Sequence, residues 1–198
     1  MRHENHFWWT TLGRGLLGLL AGSAILIIPD MARTILLRPL AISVCILSLA
    51  AYGVVDSILV CVSSYMAATE RARIALRLQG VAGIAVGILL YATFFEHAQL
   101  HWFLTLIALQ SLVTSIAEFA VARHATTRSI SHWNYAGAAV ALVATLAYAT
   151  LRLTLADSLT AQQLALLIYS YLIAFGASLC LTAARMLYAD AHAPTTQP

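Results

Sequence analysis

The chain has 198 residues and a formal net charge of +3; 61% of its residues are hydrophobic and only 10% are charged. A soluble domain carries about 25% charged residues, so a soluble globular protein is excluded. A disordered chain needs low hydrophobicity and a nucleic-acid binder needs a clustered basic surface, so both classes are excluded too. We expect an all-α integral membrane protein that sits in the lipid bilayer as a single transmembrane domain over residues 1–198.

Six apolar stretches, separated by charged residues, are each long enough to form a transmembrane helix. A helix crosses the bilayer with about 20 mostly apolar residues. In chain order the stretches cover residues 12–28, 39–62, 78–95, 101–122, 133–151 and 161–188. The polar residues that follow, 189–198, predict a disordered cytoplasmic tail.

Arginine supplies all the basic side chains, and its distribution predicts the orientation of the chain, because cytoplasmic segments carry an excess of positive residues. Eight lie on the side of the N-terminus: Arg2, Arg14, Arg71, Arg73, Arg77, Arg123, Arg128 and Arg185. Three lie on the other side: Arg33, Arg38 and Arg152. We therefore expect a bacterial-type inner (plasma) membrane protein with both termini in the cytoplasm. Arg14 lies close enough to a helix end for its side chain to extend to the headgroups.

Glycines at a seven-residue spacing open the odd-numbered stretches and indicate an internal repeat. The three sets are Gly15, Gly22 and Pro29, then Gly80, Gly87 and Phe94, and, more weakly, Gly137, Ala144 and Leu151. Each even-numbered stretch follows after a short outer loop, so the repeated unit is a helical hairpin. The sequence predicts three such hairpins, at about residues 12–62, 78–122 and 133–188.

Two of the hairpins also carry a GxxxG pair, Gly18–Gly22 in the first and Gly83–Gly87 in the second. Small residues at this spacing let membrane helices approach each other closely. The third hairpin has Val140 and Ala144 there, which predicts a looser contact. The glycines serve either the packing of the hairpins within one chain or a dimerisation face, and the second use leaves a homo-oligomer open.

A G-x6-G-x6-P hairpin that occurs three times resembles the HdeD-type acid-resistance membrane proteins. The resemblance covers about residues 12–188 and is clearest in the first repeat, which has Gly15, Gly22 and Pro29. The second repeat lacks the proline, and the third lacks two of the three residues. The resemblance implies a six-helix inner-membrane protein that supports survival of acid stress or acts as a membrane scaffold, without enzymatic chemistry and with no active-site residues to carry over.

Two acids, Asp56 and Glu118, lie inside apolar stretches, where an ionised group costs about 2.5–3.5 kcal/mol at the centre of the bilayer. Both lie in even-numbered stretches, nearer to the cytoplasmic end. One interpretation is that they bind protons, which suits an acid-stress protein or a proton or small-solute channel or transporter. The other interpretation is a structural ion pair with a nearby arginine, for which the candidates are Arg14, Arg77, Arg123 and Arg185.

Other polar side chains give weaker signals. Uncharged polar residues within the apolar stretches either line a pore or hydrogen-bond across helices or to their own backbone; they include Ser48, Gln110, Ser111, Thr114, Ser115, Ser170 and Ser178. His97 and His101 flank the third loop, and because histidine changes charge near neutral pH they are either exposed loop residues or sensors of periplasmic acidification. Their HxxxH spacing lacks a third ligand, so we expect no metal site. The usual enzyme and nucleotide-binding signatures do not occur, so we expect neither enzymatic activity nor a cofactor.

Overall fold

The computed structural model describes residues 8–31, 38–65, 67, 69–95, 100–125, 128–154 and 160–191. These ranges contain no strand. Their helices, in chain order, are α1 (Trp8–Met31), α2 (Arg38–Ser64), α3 (Glu70–Phe95), α4 (Leu100–His124), α5 (Arg128–Thr154) and α6 (Ala161–Ala191). Each of the six is long and apolar enough to cross a membrane. The all-α prediction with six transmembrane helices is therefore confirmed.

The helix α3 begins at Glu70 rather than at residue 78, so Arg71, Arg73 and Arg77, which lie before the predicted apolar stretch, belong to this helix. Thr69 caps this start, because its side-chain oxygen accepts a hydrogen bond from the Ala72 amide at 3.3 Å. A similar device begins α6. The Gln163 amide donates to the Thr160 hydroxyl at 3.3 Å, and the Gln163 side chain accepts from the Thr160 amide at 3.0 Å.

The six helices form a closed ring in which each helix packs against its neighbours in the sequence and α6 packs against α1. The most extensive contacts join α1 to α6, α2 to α3 and α4 to α5. These pairs connect different predicted hairpins, whereas the two helices within each hairpin make smaller contacts. The three large contacts alternate with three small ones around the ring. The hairpin repeat itself stays a prediction.

Glycines let the helices approach each other closely in two of the large contacts, those of α1 with α6 and of α2 with α3. A Cβ built on Gly15 would lie 2.6 Å from the Cys180 sulfur and 2.9 Å from the Gly176 carbonyl oxygen of α6. A Cβ on Gly80 would likewise meet the Cys61 sulfur of α2, and would lie 3.0 Å from the carbonyl oxygen four residues before that cysteine. The backbones of these helix pairs therefore touch directly, as small residues permit in membranes.

The glycines of the two GxxxG pairs also lie where helices pack closely against each other. Gly18 and Gly22 face α6, and Gly87 faces α2, while Gly83 faces Ser57 of α2 together with Gln110 of α4. All of them are buried within one chain. This arrangement favours internal packing over a dimerisation face.

The third set of residues at the seven-residue spacing, on α5, differs from the sets on α1 and α3. Gly137 does not face α4; a Cβ there would lie 3.1 Å from the Ser178 hydroxyl oxygen of α6, the other helix of its own hairpin. The predicted looser contact is also wrong, because α4 and α5 pack as extensively as the other two large pairs. Hydrogen bonds accompany this contact in place of glycines. The Ser115 hydroxyl donates to the Ala138 carbonyl oxygen at 2.9 Å.

Replacing Gly15 by alanine should lower the free energy of unfolding by about 1–3 kcal/mol, because the new methyl group would meet α6 backbone atoms that cannot move aside. Gly53→Ala is the matched control, since a Cβ at Gly53 has nothing within 4 Å. This control should raise stability by about 0.5–1 kcal/mol, as expected for alanine over glycine inside a helix. Denaturant unfolding in one detergent measures both variants. Equal stability of the two would contradict the close packing of α1 on α6.

Candidate functional site

Arg14 of α1 binds both intramembrane acids. Its Nε donates a hydrogen bond to Oδ1 of Asp56 on α2 at 2.9 Å, and its Nη1 donates to Oε1 of Glu118 on α4 at 3.1 Å. The side chains of Arg14, Asp56 and Glu118 are 5%, 8% and 4% exposed. We call these three residues the charge cluster. Of the four arginines considered as partners for the acids, Arg14 is thus the one that the structure brings to both of them.

The charge cluster lies near the end of the bundle at which α1 begins and α6 ends. Arg14 is six residues from the start of α1, and Glu118 is six residues from the end of α4. At the rise of an α-helix these positions lie about 9 Å inside the ends. The expectation that Arg14 extends to the headgroups is wrong, because its side chain points into the bundle. Two carboxyl groups at hydrogen-bonding distance there compensate the loss of hydration.

The charges in this cluster do not balance. One guanidinium faces two carboxyl groups, which leaves one negative charge in excess when both acids are ionised. An uncompensated buried charge costs several kcal/mol. A neutral cluster therefore needs one further positive charge, which a proton on a carboxyl group or a bound cation supplies. Tyr52 of α2 and Tyr171 of α6 are the other titratable groups within electrostatic range of Asp56 and Arg14.

A cavity of about 60 Å³ lies between α2, α3, α4 and α6, directly beside Asp56. Each of the four helices contributes four residues at the same i, i+3, i+4, i+7 spacing. These are Leu49, Tyr52, Gly53 and Asp56 on α2, Gly83, Val86, Gly87 and Leu90 on α3, Ile107, Gln110, Ser111 and Thr114 on α4, and Ile168, Tyr171, Leu172 and Phe175 on α6. One buried water needs about 10–15 Å³, so the cavity has room for a few water molecules or a small ligand.

The lining of the cavity changes from apolar to polar along the bundle. Leu49, Ile107 and Ile168 form an apolar layer at the end away from the charge cluster, and all three belong to the hydrophobic core. Asp56 and Thr114 lie at the opposite end. The cavity thus has an apolar end and a polar end.

Three polar side chains of α4 line the cavity. The Gln110 Oε1 atom is buried and has no hydrogen-bond partner among the described residues. The Thr114 hydroxyl accepts a hydrogen bond from Gln79 Nε2 at 3.4 Å. The Ser111 hydroxyl donates to the Ile107 carbonyl oxygen at 2.9 Å and accepts from Thr145 at 3.1 Å. Gln110 therefore presents a free acceptor oxygen, whereas the Ser111 hydroxyl already hydrogen-bonds to its own helix and to α5.

The remaining residues singled out from the sequence lie elsewhere. His101 is exposed in the first turn of α4, and its backbone carbonyl oxygen accepts a hydrogen bond from Thr105. His97 lies outside the described residues. Within the ranges that the structure describes, no group of three or more His, Cys, Asp or Glu side chains could hold a metal ion.

The sequence did not single out the cavity tyrosines, Tyr52 and Tyr171. Tyr52 precedes Asp56 by one helical turn, which was a usable signal, because residues four apart lie on one helix face. Tyr171 had no nearby acid to mark it. Its place follows from packing, since its ring stacks on Phe175 at a centroid distance of 5.7 Å and meets Tyr148 of α5 edge to face.

Searches of protein-family models, of curated proteins and of solved structures find no match for this chain. The resemblance to HdeD-type proteins therefore stays a prediction.

Replacing Arg14 by methionine should destabilise the protein by about 3–5 kcal/mol, because it leaves two buried carboxyl groups without their counter-charge. Adding Asp56→Leu and Glu118→Leu to this variant should recover most of the loss, since an apolar set can replace a buried ion cluster. Arg152→Met is the control, because Arg152 is exposed at the end of α5.

Thermal unfolding in one detergent compares the stability of the wild-type protein, Arg14→Met, the triple variant and Arg152→Met. A single Arg14→Met variant as stable as the control variant would show that the charge cluster does not hold α1, α2 and α4 together.

Proposed function

We propose that this chain is a non-enzymatic protein of a bacterial-type plasma membrane that supports resistance to acid stress, and that its charge cluster binds protons. The observation that carries the proposal is the pairing of one buried guanidinium with two carboxyl groups. A purely structural ion pair needs only one acid. The second acid gives the cluster a site that a proton can occupy without leaving a charge unbalanced.

Proton binding in this cluster has two steps with opposite consequences. A first proton neutralises one carboxyl group and leaves a balanced pair of Arg14 with the other acid. A second proton would leave the guanidinium buried without a counter-charge, which is strongly unfavourable. Because the three residues lie on α1, α2 and α4, acidification that reaches the second step weakens the contacts among these helices. The titration belongs to the cluster as a whole rather than to either acid.

The predicted orientation supports this role. With both termini in the cytoplasm, the charge cluster lies toward the cytoplasmic side of the bilayer, and it would respond to acidification of the cell interior. Arg71 and Arg77, which are exposed in the first turns of α3, then lie at the cytoplasmic face as expected from the distribution of arginines.

A second candidate function is transport of protons or a small solute. The observation in its favour is the cavity beside Asp56, which has polar groups such as Gln110 and Thr114 on its wall. The apolar layer of Leu49, Ile107 and Ile168 gives one end of the cavity no polar side chain for a proton or solute to bind. The geometry therefore favours a site that binds over a pore that stays open.

Replacing either acid by its amide should lower survival of acid stress. Asp56→Asn and Glu118→Gln each remove one proton site while preserving the side-chain shape, and a neutral pair of Arg14 with one acid remains. The measurement is survival of a deletion strain that expresses each variant at the wild-type level. Glu70→Gln is the control, since Glu70 is exposed at the start of α3 and should give wild-type survival. Wild-type survival of both cluster variants would rule out the proton-linked role.

A further inference from the structure

We infer that the central cavity is a binding site for a small ammonium ion, of the size of ammonium or methylammonium. The inference rests on the function proposed above for the charge cluster, because the bound cation takes the place of the proton that balances it. The site consists of Asp56, Gln110 and Thr114 as acceptors, and three aromatic residues stand among the otherwise mainly aliphatic and glycine residues of the remaining wall.

Charge determines that the ligand is a monovalent cation. Asp56 is the member of the charge cluster that also lines the cavity, and it uses Oδ1 to bind Arg14. The cluster carries one negative charge in excess when both acids are ionised. One positive charge in the cavity balances it, whereas a divalent cation would leave a positive excess and an anion would add to the negative one.

The polar wall supplies acceptors for the N–H groups of an ammonium ion. Gln110 Oε1 is buried with no hydrogen-bond partner in the described part of the chain, which is costly unless a donor comes to it. The Thr114 hydroxyl and the Asp56 carboxylate border the same space. An ammonium ion carries several N–H donors, so it can bind an amide oxygen, a hydroxyl and a carboxylate at once.

The aromatic residues of the cavity distinguish an ammonium ion from a metal ion. Tyr52, Tyr171 and Phe175 line the cavity together, and the rings of the latter two stack with an angle of 22° between their planes. Aromatic walls combined with a carboxylate are typical of sites that bind ammonium groups, through cation–π attraction. Sodium, in contrast, prefers a shell made wholly of oxygen atoms, which this wall of mainly apolar side chains does not offer.

The size of the cavity sets an upper limit on the ligand. A volume of about 60 Å³ accepts ammonium or methylammonium with some water, but the packed layer of Leu49, Ile107 and Ile168 leaves no room for a bulky quaternary ammonium ion. Gly53 also borders this space, and a Cβ at that position would have nothing within 4 Å. A larger residue at position 53 should therefore take up space beside the cavity without a clash at its Cβ.

The test is calorimetric titration of the purified full-length protein with ammonium chloride and with methylammonium chloride, at fixed pH and ionic strength. Sodium chloride and tetramethylammonium chloride serve as comparison titrants. We expect saturable binding of one ammonium or methylammonium ion per chain and none of the comparison ions. Gln110→Leu, which removes the free acceptor, and Gly53→Leu, which takes up space beside the cavity, should each weaken binding by roughly tenfold or more. Ser170→Ala should leave it unchanged, because Ser170 is exposed on α6 and donates within its own helix.

The outcomes separate this inference from the proposed function. No saturable ammonium binding to the folded wild-type protein, or binding that survives Gly53→Leu, overturns the ammonium site. Sodium binding of equal strength also overturns it, in favour of a metal-ion site. If ammonium binding is absent while Asp56→Asn still lowers acid survival, the inference fails and the proton-linked function stands. If Asp56→Asn survives acid stress normally, while the wild-type protein binds ammonium and Gln110→Leu does not, the ammonium site stands and the proton-linked function fails.

Discussion

The burial of one arginine between two acids is the interaction on which the arrangement of this bundle depends. Arg14 joins α1 to α2 and to α4, across 42 and 104 residues of sequence. The next residue, Gly15, brings the same helix into backbone contact with α6. The two contacts fix the rotation of α1, because turning Arg14 toward lipid would move the glycine face away from α6. Electrostatics and close packing thus select the same orientation.

Asp56 connects this structural role with a chemical one. It binds Arg14 on one side and borders the central cavity on the other. Any charge that enters the cavity therefore acts on the charge cluster, which joins α1, α2 and α4. The cavity itself has a regular wall, with four residues from each of α2, α3, α4 and α6 at one spacing. Its asymmetry lies in the side chains, since an acid, a threonine and a phenylalanine occupy the corresponding last positions on α2, α4 and α6, whereas α3 contributes only glycine and aliphatic residues. Charge is therefore confined to one helix of the four.

Hydropathy and the cost of buried charge were sufficient to predict the six helices and to single out Asp56 and Glu118. They could not place Arg14, because a residue near a helix end can extend to the headgroups or turn inward, and the choice depends on a partner 104 residues away. Hydropathy does not reveal the start of α3 at Glu70, because the arginines there interrupt the apolar pattern, although Thr69 is a usual capping residue. Gly137 matched a spacing but faces a different helix, since spacing does not determine which side of a helix meets which neighbour.

Infrared spectroscopy can detect the single proton that we propose the charge cluster holds between its two acids at neutral pH, because a protonated carboxyl group has a carbonyl band that a carboxylate lacks. We predict one such band in the wild-type protein at neutral pH, in buffer free of ammonium ions. The band should disappear in both Asp56→Asn and Glu118→Gln, because either substitution leaves a balanced pair with Arg14. A wild-type spectrum without this band, or a band that remains in both variants, would contradict this proposal.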